Sequence, residues 1–328
     1  MDKKIIQEVG LNCCTKLKKV DFTALGLNDY QFEYIDRLLP ELEYYFKIYS
    51  ELIEKIVAKS SPNNYVVDFG GGHGFLSIFL KQLGFKVIYC DIIPAWIKTV
   101  ELIKSEIGLG PDIILEGSID ELNLYCKQNQ IKVDSLIASD LIEHIYDLNI
   151  FFHDARLINP QIEMAFSTGS NPYNYYNLFK LHKMMKYEEE SFNYQKRAIF
   201  INENYAILPL QIRKKLTKLT RGYIYKDIIV AIDNYNKTKK FPKEIEAFNT
   251  CDPGTGSWDE RVLSYKRYQE LANNNGFKVE FFRGFYNTNR KSVFTRYIAI
   301  ILNSLIHLLG KIGVVFSPYI ILKLSSKH

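Results

Sequence analysis

Seven consecutive residues, Asp68-Phe69-Gly70-Gly71-Gly72-His73-Gly74, hold the densest chemistry in this sequence. Glycines at 70, 72 and 74 let the backbone approach a ligand closely, because no Cβ stands in the way. A helix opening just afterwards offers N–H groups with no partner inside it. A second acid, Asp91, follows 17 residues after Gly74. Spacing narrows the ligand. The dinucleotide fingerprint Gly-x-Gly-x-x-Gly needs a third glycine at 75 or 77, where Phe75 and Ser77 stand. A phosphate loop needs Lys followed by Ser or Thr after the glycines, and no such pair is there. Further along, Ser139-Asp140-Leu141-Ile142-Glu143-His144-Ile145-Tyr146-Asp147 brings an imidazole to the chain, the side chain best suited to proton transfer near neutrality. Two roles are open to His144: general base, or partner for a neighbouring helix end or carbonyl. His73 reads as structural.

The elements that must position these residues follow from periodicity. Residues 1–60 read as helices, with Phe32, Ile35, Leu38 and Leu39 and then Tyr49, Leu52, Ile53, Ile56 and Val57 at helical spacing. Ser60-Ser61-Pro62-Asn63-Asn64 breaks the pattern. Strands are expected at 65–69, 86–90, 112–115, 133–138 and 162–167. Helices are expected at 74–83, 95–107, 119–128 and 148–157, with Pro94 tolerated in a first turn. Five strands alternating with helices predict right-handed crossovers and a parallel sheet covered on both faces. A helix at 259–273 and strands at 277–282 and 319–324 complete an α/β, doubly wound, mostly parallel seven-stranded sheet. Four regions result: an N-terminal helical segment (1–60), a core (61–170), a helical Tyr-rich insertion (171–250), and a C-terminal part of the core (251–328) with an apolar helical insertion at about 291–316.

On the glycine loop, Asp91, the strand–helix rhythm and the Glu143-His144 segment, the sequence resembles the class I S-adenosylmethionine-dependent methyltransferases. Its likeness is to the branch that modifies small molecules and quinones. The likeness covers roughly residues 50–170, more weakly 259–285 and 318–326. It implies the Rossmann-like methyltransferase fold and S-adenosyl-L-methionine as cofactor. It places the methionine part and ribose on Asp68, Gly70, Gly72 and Gly74, the ribose hydroxyls on Asp91, and the adenine against Ile92. After the third strand the family carries Gly-Asp, whose acid accepts from the adenine amino group. Here Glu116-Gly117-Ser118-Ile119 stands, so the Ser118 hydroxyl and the Ile119 N–H would serve. Asp140 and Leu141 would lie along the cofactor, and His144 would face the acceptor as its base.

Composition limits the alternatives. The chain has 328 residues, 47% hydrophobic and 24% charged, which excludes a disordered protein. Five cysteines, an odd number without regular spacing, suit a reducing compartment, and no metal-ligand pattern occurs. The net charge of +5 is mild, no basic arm is present, and no Asn/Asp-Pro-Pro-Tyr/Phe segment follows the fourth strand, so nucleic acid is not the expected partner. No apolar leader follows Met1, and the expected location is the cytoplasm. The most apolar stretch, 14 residues between Arg296 and Lys311, is short of the about 20 residues that cross a bilayer. The whole apolar insertion at about 291–316, with Arg290, Lys291, Arg296 and Lys311 at its edges, suits a membrane surface, a homodimer interface or a cap on the core.

The expected acceptor is a small molecule. The insertion stands where the resembled family forms its acceptor lid; Tyr173, Tyr175, Tyr176, Tyr187, Tyr205, Tyr223 and Tyr225 suit a ring or sugar acceptor or the core of a helical subdomain, and the run Arg213-Lys214-Lys215-Leu216-Thr217-Lys218, with Arg221 beyond, suits an anionic acceptor or a solvated helix face. O-methylation of a sugar or glycan precursor, in surface polysaccharide or natural-product biosynthesis, is the first reading. A lipid or quinone methyltransferase at the membrane face is the second, and a non-catalytic cofactor-binding partner subunit is the rival from another class.

Overall fold

The computed structural model describes residues 2–56 and 63–327. Val57, Ser60, Ser61 and Pro62, and with them the expected boundary at 60, lie outside the described residues. In chain order the elements are α1 (Lys3–Leu17), α2 (Asp29–Leu38), α3 (Leu42–Ile56), β1 (Tyr65–Phe69), α4 (Phe75–Gln82), β2 (Lys86–Asp91), α5 (Pro94–Ile107), β3 (Ile113–Glu116), α6 (Ile119–Gln128), β4 (Val133–Ser139), α7 (Leu148–Ile158), β5 (Glu163–Thr168), α8 (Tyr175–Glu188), α9 (Tyr194–Asn204), α10 (Leu210–Leu219), α11 (Tyr225–Thr238), α12 (Tyr265–Asn274), β6 (Phe277–Arg283), α13 (Val293–Leu308) and β7 (Ile320–Ser326). The chain divides into two compact units: one of Met1–Ile142, Asn149–Gly169 and Tyr265–His328, the other of Glu143–Leu148 and Ser170–Ser264.

The first unit is built on a seven-stranded sheet of order β3-β2-β1-β4-β5-β7-β6. The first five strands run parallel, and β7 pairs antiparallel with both β5 and β6. Strands 66–69 and 87–91 are buried without alternation, as expected of a sheet covered on both faces. The helices start and stop where local chemistry dictates. Pro94 occupies the first turn of α5, and Gly108 ends it in the left-handed conformation. The N-terminal helices are not a separate body. Leu17, Ile53, Phe79, Ile137 and Ile321 belong to one apolar core, in which Phe46 of α3 lies 5.2 Å, ring to ring, from Phe79 of α4.

The second unit holds α8 to α11 around Ile201, Leu216, Ile228 and Ile232. Arg197 is fully buried and forks onto Glu189, with bonds of 3.1 and 2.5 Å. Glu189 also accepts from Thr250 at 2.7 Å, and Asn193 bridges Thr250 and Asp259. This polar network ties residues 250–259 to the helices, which is why the unit continues past 250 to Ser264.

One expected element is corrected. The helix predicted over 259–273 begins only at Tyr265. The backbone N–H groups of Asp259 and Arg261 donate to Thr250 and Glu143, and that of Val262 donates to the Asn249 side chain. Donors committed to other segments cannot make helical bonds. The five cysteines are buried and unpaired, and burial pushes the Cys13 thiol up to about 11 and that of Cys14 to about 12.

Candidate functional site

Strand order reverses at β1, which has β2 on one side and β4 on the other. In such sheets the crevice beyond the carboxyl ends of these strands is where ligands bind. The register puts Asp68 beside Tyr89 and Phe69 beside Cys90, so β1 and β2 end together.

The loop leaving β1 is fastened to β2 by backbone and side-chain bonds. Gly70 N–H donates to the Cys90 carbonyl at 2.7 Å, and Gly74 N–H closes the turn on Gly71 at 2.9 Å. Gly72 N–H donates to one carboxylate oxygen of Asp91 at 3.0 Å, while Ile93 N–H donates to the other at 2.9 Å. Tyr89 O–H donates to the Gly72 carbonyl at 2.6 Å. The Asp91 carboxylate is thereby fixed against the loop. Gly72 has φ +50°, and a Cβ there would meet no protein atom within 4 Å, so the loop faces open space at this point. At Gly70 a Cβ would come within 2.6 Å of Leu141, which brings the segment after β4 onto the same loop.

Gly72→Ala separates two effects. Strain in the left-handed region costs about 1 kcal/mol of stability, a small fall in Tm. A methyl group thrust into the open space is expected to weaken any ligand seated on the loop about 10-fold or more. Calorimetry beside thermal melts checks this, and equal ligand affinity in the two proteins would count against the loop.

Asp68 lies beneath the loop, buried, accepting from Ser77 O–H at 2.7 Å. Burial, aided by the charge of Asp91, lifts its carboxyl to about 7. The unfolded chain titrates near 3.8, so the folded state holds this proton more tightly. Asp68 therefore contributes its full stability below about pH 4 and loses it as pH rises through about 7. Asp68→Asn is expected to flatten the fall in Tm between about pH 5 and pH 8. Parallel melting curves for the two proteins would contradict the assignment.

Other expected site residues fall as follows. His73 is buried and accepts from Phe75 N–H at 3.2 Å, and burial holds its ring neutral, at about 3. Gly74 is the left-handed N-cap of α4. Ile92, just past β2, is 67% exposed. The backbone N–H of Gly117 donates to the Asp91 carbonyl at 2.9 Å, joining the β3 turn to the same corner. Ser118 caps α6: it donates to Glu121 at 2.5 Å and accepts from Asp120 N–H at 3.2 Å. Ser118 and Glu121 stand at the Ser-x-x-Glu spacing of a capping box. Ile119 is buried at the start of α6. Asp140 is exposed at φ +51°, its N–H donating to the Ser167 carbonyl at 3.0 Å. Burial, with the Asp140 charge as the second cause, raises the phenol of Tyr34 and pushes that of Tyr45 up to about 12.

Tyr34 and Trp96 are the residues that periodicity alone misses. Tyr34 of α2 lies 6.1 Å from His73 and 5.4 Å, edge-on, from Trp96 of α5. An aromatic roof therefore stands beside the glycine loop. No spacing signal announces it, because it depends on where α2 packs.

His144 belongs to the second unit. Its Nδ1 lies 2.7 Å from the Trp258 carbonyl, and Trp258 N–H donates back to the His144 carbonyl at 3.2 Å. A carbonyl only accepts, so Nδ1 carries the hydrogen and Nε2 of the neutral ring keeps a lone pair. Tyr146 stacks on Trp258 at 5.9 Å.

No protein-family model matches the sequence, and no curated protein does. Solved structures do resemble the chain. A S-adenosylmethionine-dependent methyltransferase from Clostridium acetobutylicum is 13% identical, with 92% of this chain and 100% of that chain covered and a TM-score of 0.46. A SAM-dependent methyltransferase from Archaeoglobus fulgidus is 13% identical, covering 87% and 100%, TM-score 0.39. A Haemonchus contortus phosphoethanolamine N-methyltransferase in complex with S-adenosyl-L-methionine is 10% identical, covering 86% of this chain and 53% of that one, TM-score 0.41.

Proposed function

We propose that this chain is a class I S-adenosylmethionine-dependent methyltransferase that methylates an oxygen of a small-molecule acceptor, a sugar or glycan precursor. One observation carries the reading: the Asp91 carboxylate is fixed by Gly72 and Ile93 beside a glycine loop that faces open space at a strand-order reversal. These residues fit the cofactor. Asp91 would hold the ribose hydroxyls. Asp68, Gly70, Gly72 and Gly74 would border the methionine part. Ile92, Ser118 and Ile119 would border the adenine, and Asp140 and Leu141 would lie along the molecule. When bound, S-adenosyl-L-methionine supplies a methyl group on a sulfonium, whose neutral thioether needs no acid to leave.

The chain's own task is then to orient the acceptor and exclude water, which supplies several kcal/mol. An alcohol acceptor keeps its proton at neutral pH, and Nε2 of His144 is the base we assign to it. Support for a sugar comes from α8, where Tyr175, Tyr176, Phe179 and Tyr187 are exposed, 81% in the case of Tyr175. Aromatic faces of this kind suit the apolar face of a sugar ring. The basic run lends an anionic acceptor little support. Arg213 bonds Asn202, and Arg221 is taken up by the carbonyls of Ala247, Phe248 and Asn249. Calorimetry with the donor and with its demethylated product tests the core of the reading. Heat is expected with both, and none with either would end it. A mass-spectrometric screen of sugars and nucleotide-sugars for one added methyl group then tests the acceptor.

A further inference from the structure

Helix α13 is apolar on both faces. Its inner face is fastened: Ala299 and Ile306 are buried, and the Asn303 side chain clamps the backbone of Tyr286, accepting from its N–H at 2.7 Å and donating to its carbonyl at 2.9 Å. A Cβ on Gly313 would lie 2.2 Å from the Ile306 carbonyl, so the turn after the helix is pressed against it as well. These contacts fix the rotation of the helix about its axis. The opposite face carries Val293, Phe294, Tyr297, Ile301 and Leu308, all turned to solvent: 75% exposed at Phe294, 65% at Ile301 and 83% at Leu308. Ile312, just beyond, is 68% exposed. Positions 293, 297, 301 and 308 follow helical spacing, so these side chains share one face, interrupted by the exposed Ser304, along a helix about 24 Å long for 16 residues.

The segment that carries the stripe has charge of one sign. From Gly284 to His328 the sequence has no Asp or Glu, and it has Arg290, Lys291, Arg296, Lys311, Lys323 and Lys327. Arg290 pairs with Glu41 at 3.4 Å, while Lys291, Arg296 and Lys311 are exposed at the ends and flank of the stripe. No helix among the described residues is long and apolar enough to cross a membrane. A second copy of the chain would bring these cations face to face. An anionic surface with an apolar interior matches both features at once.

We propose that α13 docks this protein on an anionic lipid surface, with the Phe294–Leu308 stripe lying in the headgroup–acyl boundary and Lys291, Arg296 and Lys311 among the lipid phosphates. The inference does not depend on methyl transfer. Flotation of the full chain with vesicles of phosphatidylcholine alone, and of phosphatidylcholine with phosphatidylglycerol in a two-to-one ratio, tests it. Binding is expected to the mixed vesicles. The triple substitution Phe294→Ser, Tyr297→Ser, Ile301→Ser is expected to abolish it. Lys291→Gln, Arg296→Gln and Lys311→Gln together are expected to weaken it on the order of 100-fold, as is fitting for three cations near the surface. Emission from a Tyr297→Trp variant is expected to shift to the blue on the mixed vesicles. All these positions are exposed, and among the described residues only Arg296, which donates to the Arg290 carbonyl at 3.0 Å, makes a bond to the backbone nearby, so thermal melts of each variant beside wild type check that the fold is retained. Wild-type protein that stays unbound, or binding indifferent to the serine triple, overturns the proposal. So does a concentration-dependent dimer that those serines dissolve while vesicles are ignored.

Discussion

Asp91→Ala is expected to lower affinity for S-adenosyl-L-methionine about 100-fold or more, and affinity for the demethylated product by the same factor. In the proposed complex two ribose hydroxyls would lose a charged acceptor, and each such bond contributes about 1.5–3 kcal/mol. Equal loss for donor and product is the diagnostic part, because the two share the ribose and differ only at sulfur. Some fall in stability accompanies it. The N–H groups of Gly72 and Ile93 both lose the carboxylate they donate to. Asp91→Asn keeps one acceptor oxygen, so its affinity is expected to lie between wild type and alanine. Titration calorimetry reads all three proteins. An alanine variant that binds both compounds like wild type would remove Asp91, and with it the proposed cofactor corner.

His144→Gln is expected to lower turnover by about 10²–10⁴-fold, the usual contribution of a positioned base, with donor affinity unchanged. Glutamine is the informative substitution. Its amide N–H can still donate to the Trp258 carbonyl that His144 holds at 2.7 Å, but it offers no basic nitrogen. His144→Ala removes both functions and gives up about 1 kcal/mol of stability as well. Glutamine that matches wild type in melting temperature and fails in turnover would assign the lone pair on Nε2 its chemical role. Glutamine that is fully active would remove the base assignment from His144.

What could be foreseen from the sequence divides along a physical line. Strands β1, β2, β4 and β5 were legible because residues such as Val66, Val67, Ile88 and Tyr89 are buried on both faces, and that leaves an unbroken apolar run. The corner at Asp68, Gly72 and Asp91 was legible because its chemistry is local: glycines at alternate positions and an acid at a strand end. Features that depend on distant packing were not. The stretch after Asp259 has helical composition, yet its backbone donors go to Thr250, Glu143 and Asn249. Tyr34 gains its place beside His73 only when α2 docks, and nothing in the pattern Phe32, Ile35, Leu38 anticipates it. The apolar character of 291–316 was plain, whereas its outward face depends on the grip of Asn303 on Tyr286.

The antiparallel strand β7 fills a gap between two strands that precede it in the chain. As the polypeptide is synthesised, β5 must wait with one hydrogen-bonding edge bare until residues 320–326 have emerged, and β6 waits with no partner at all. A nascent chain halted before Ile320 would therefore display a naked apolar strand margin, the kind of surface that recruits chaperones and seeds aggregation.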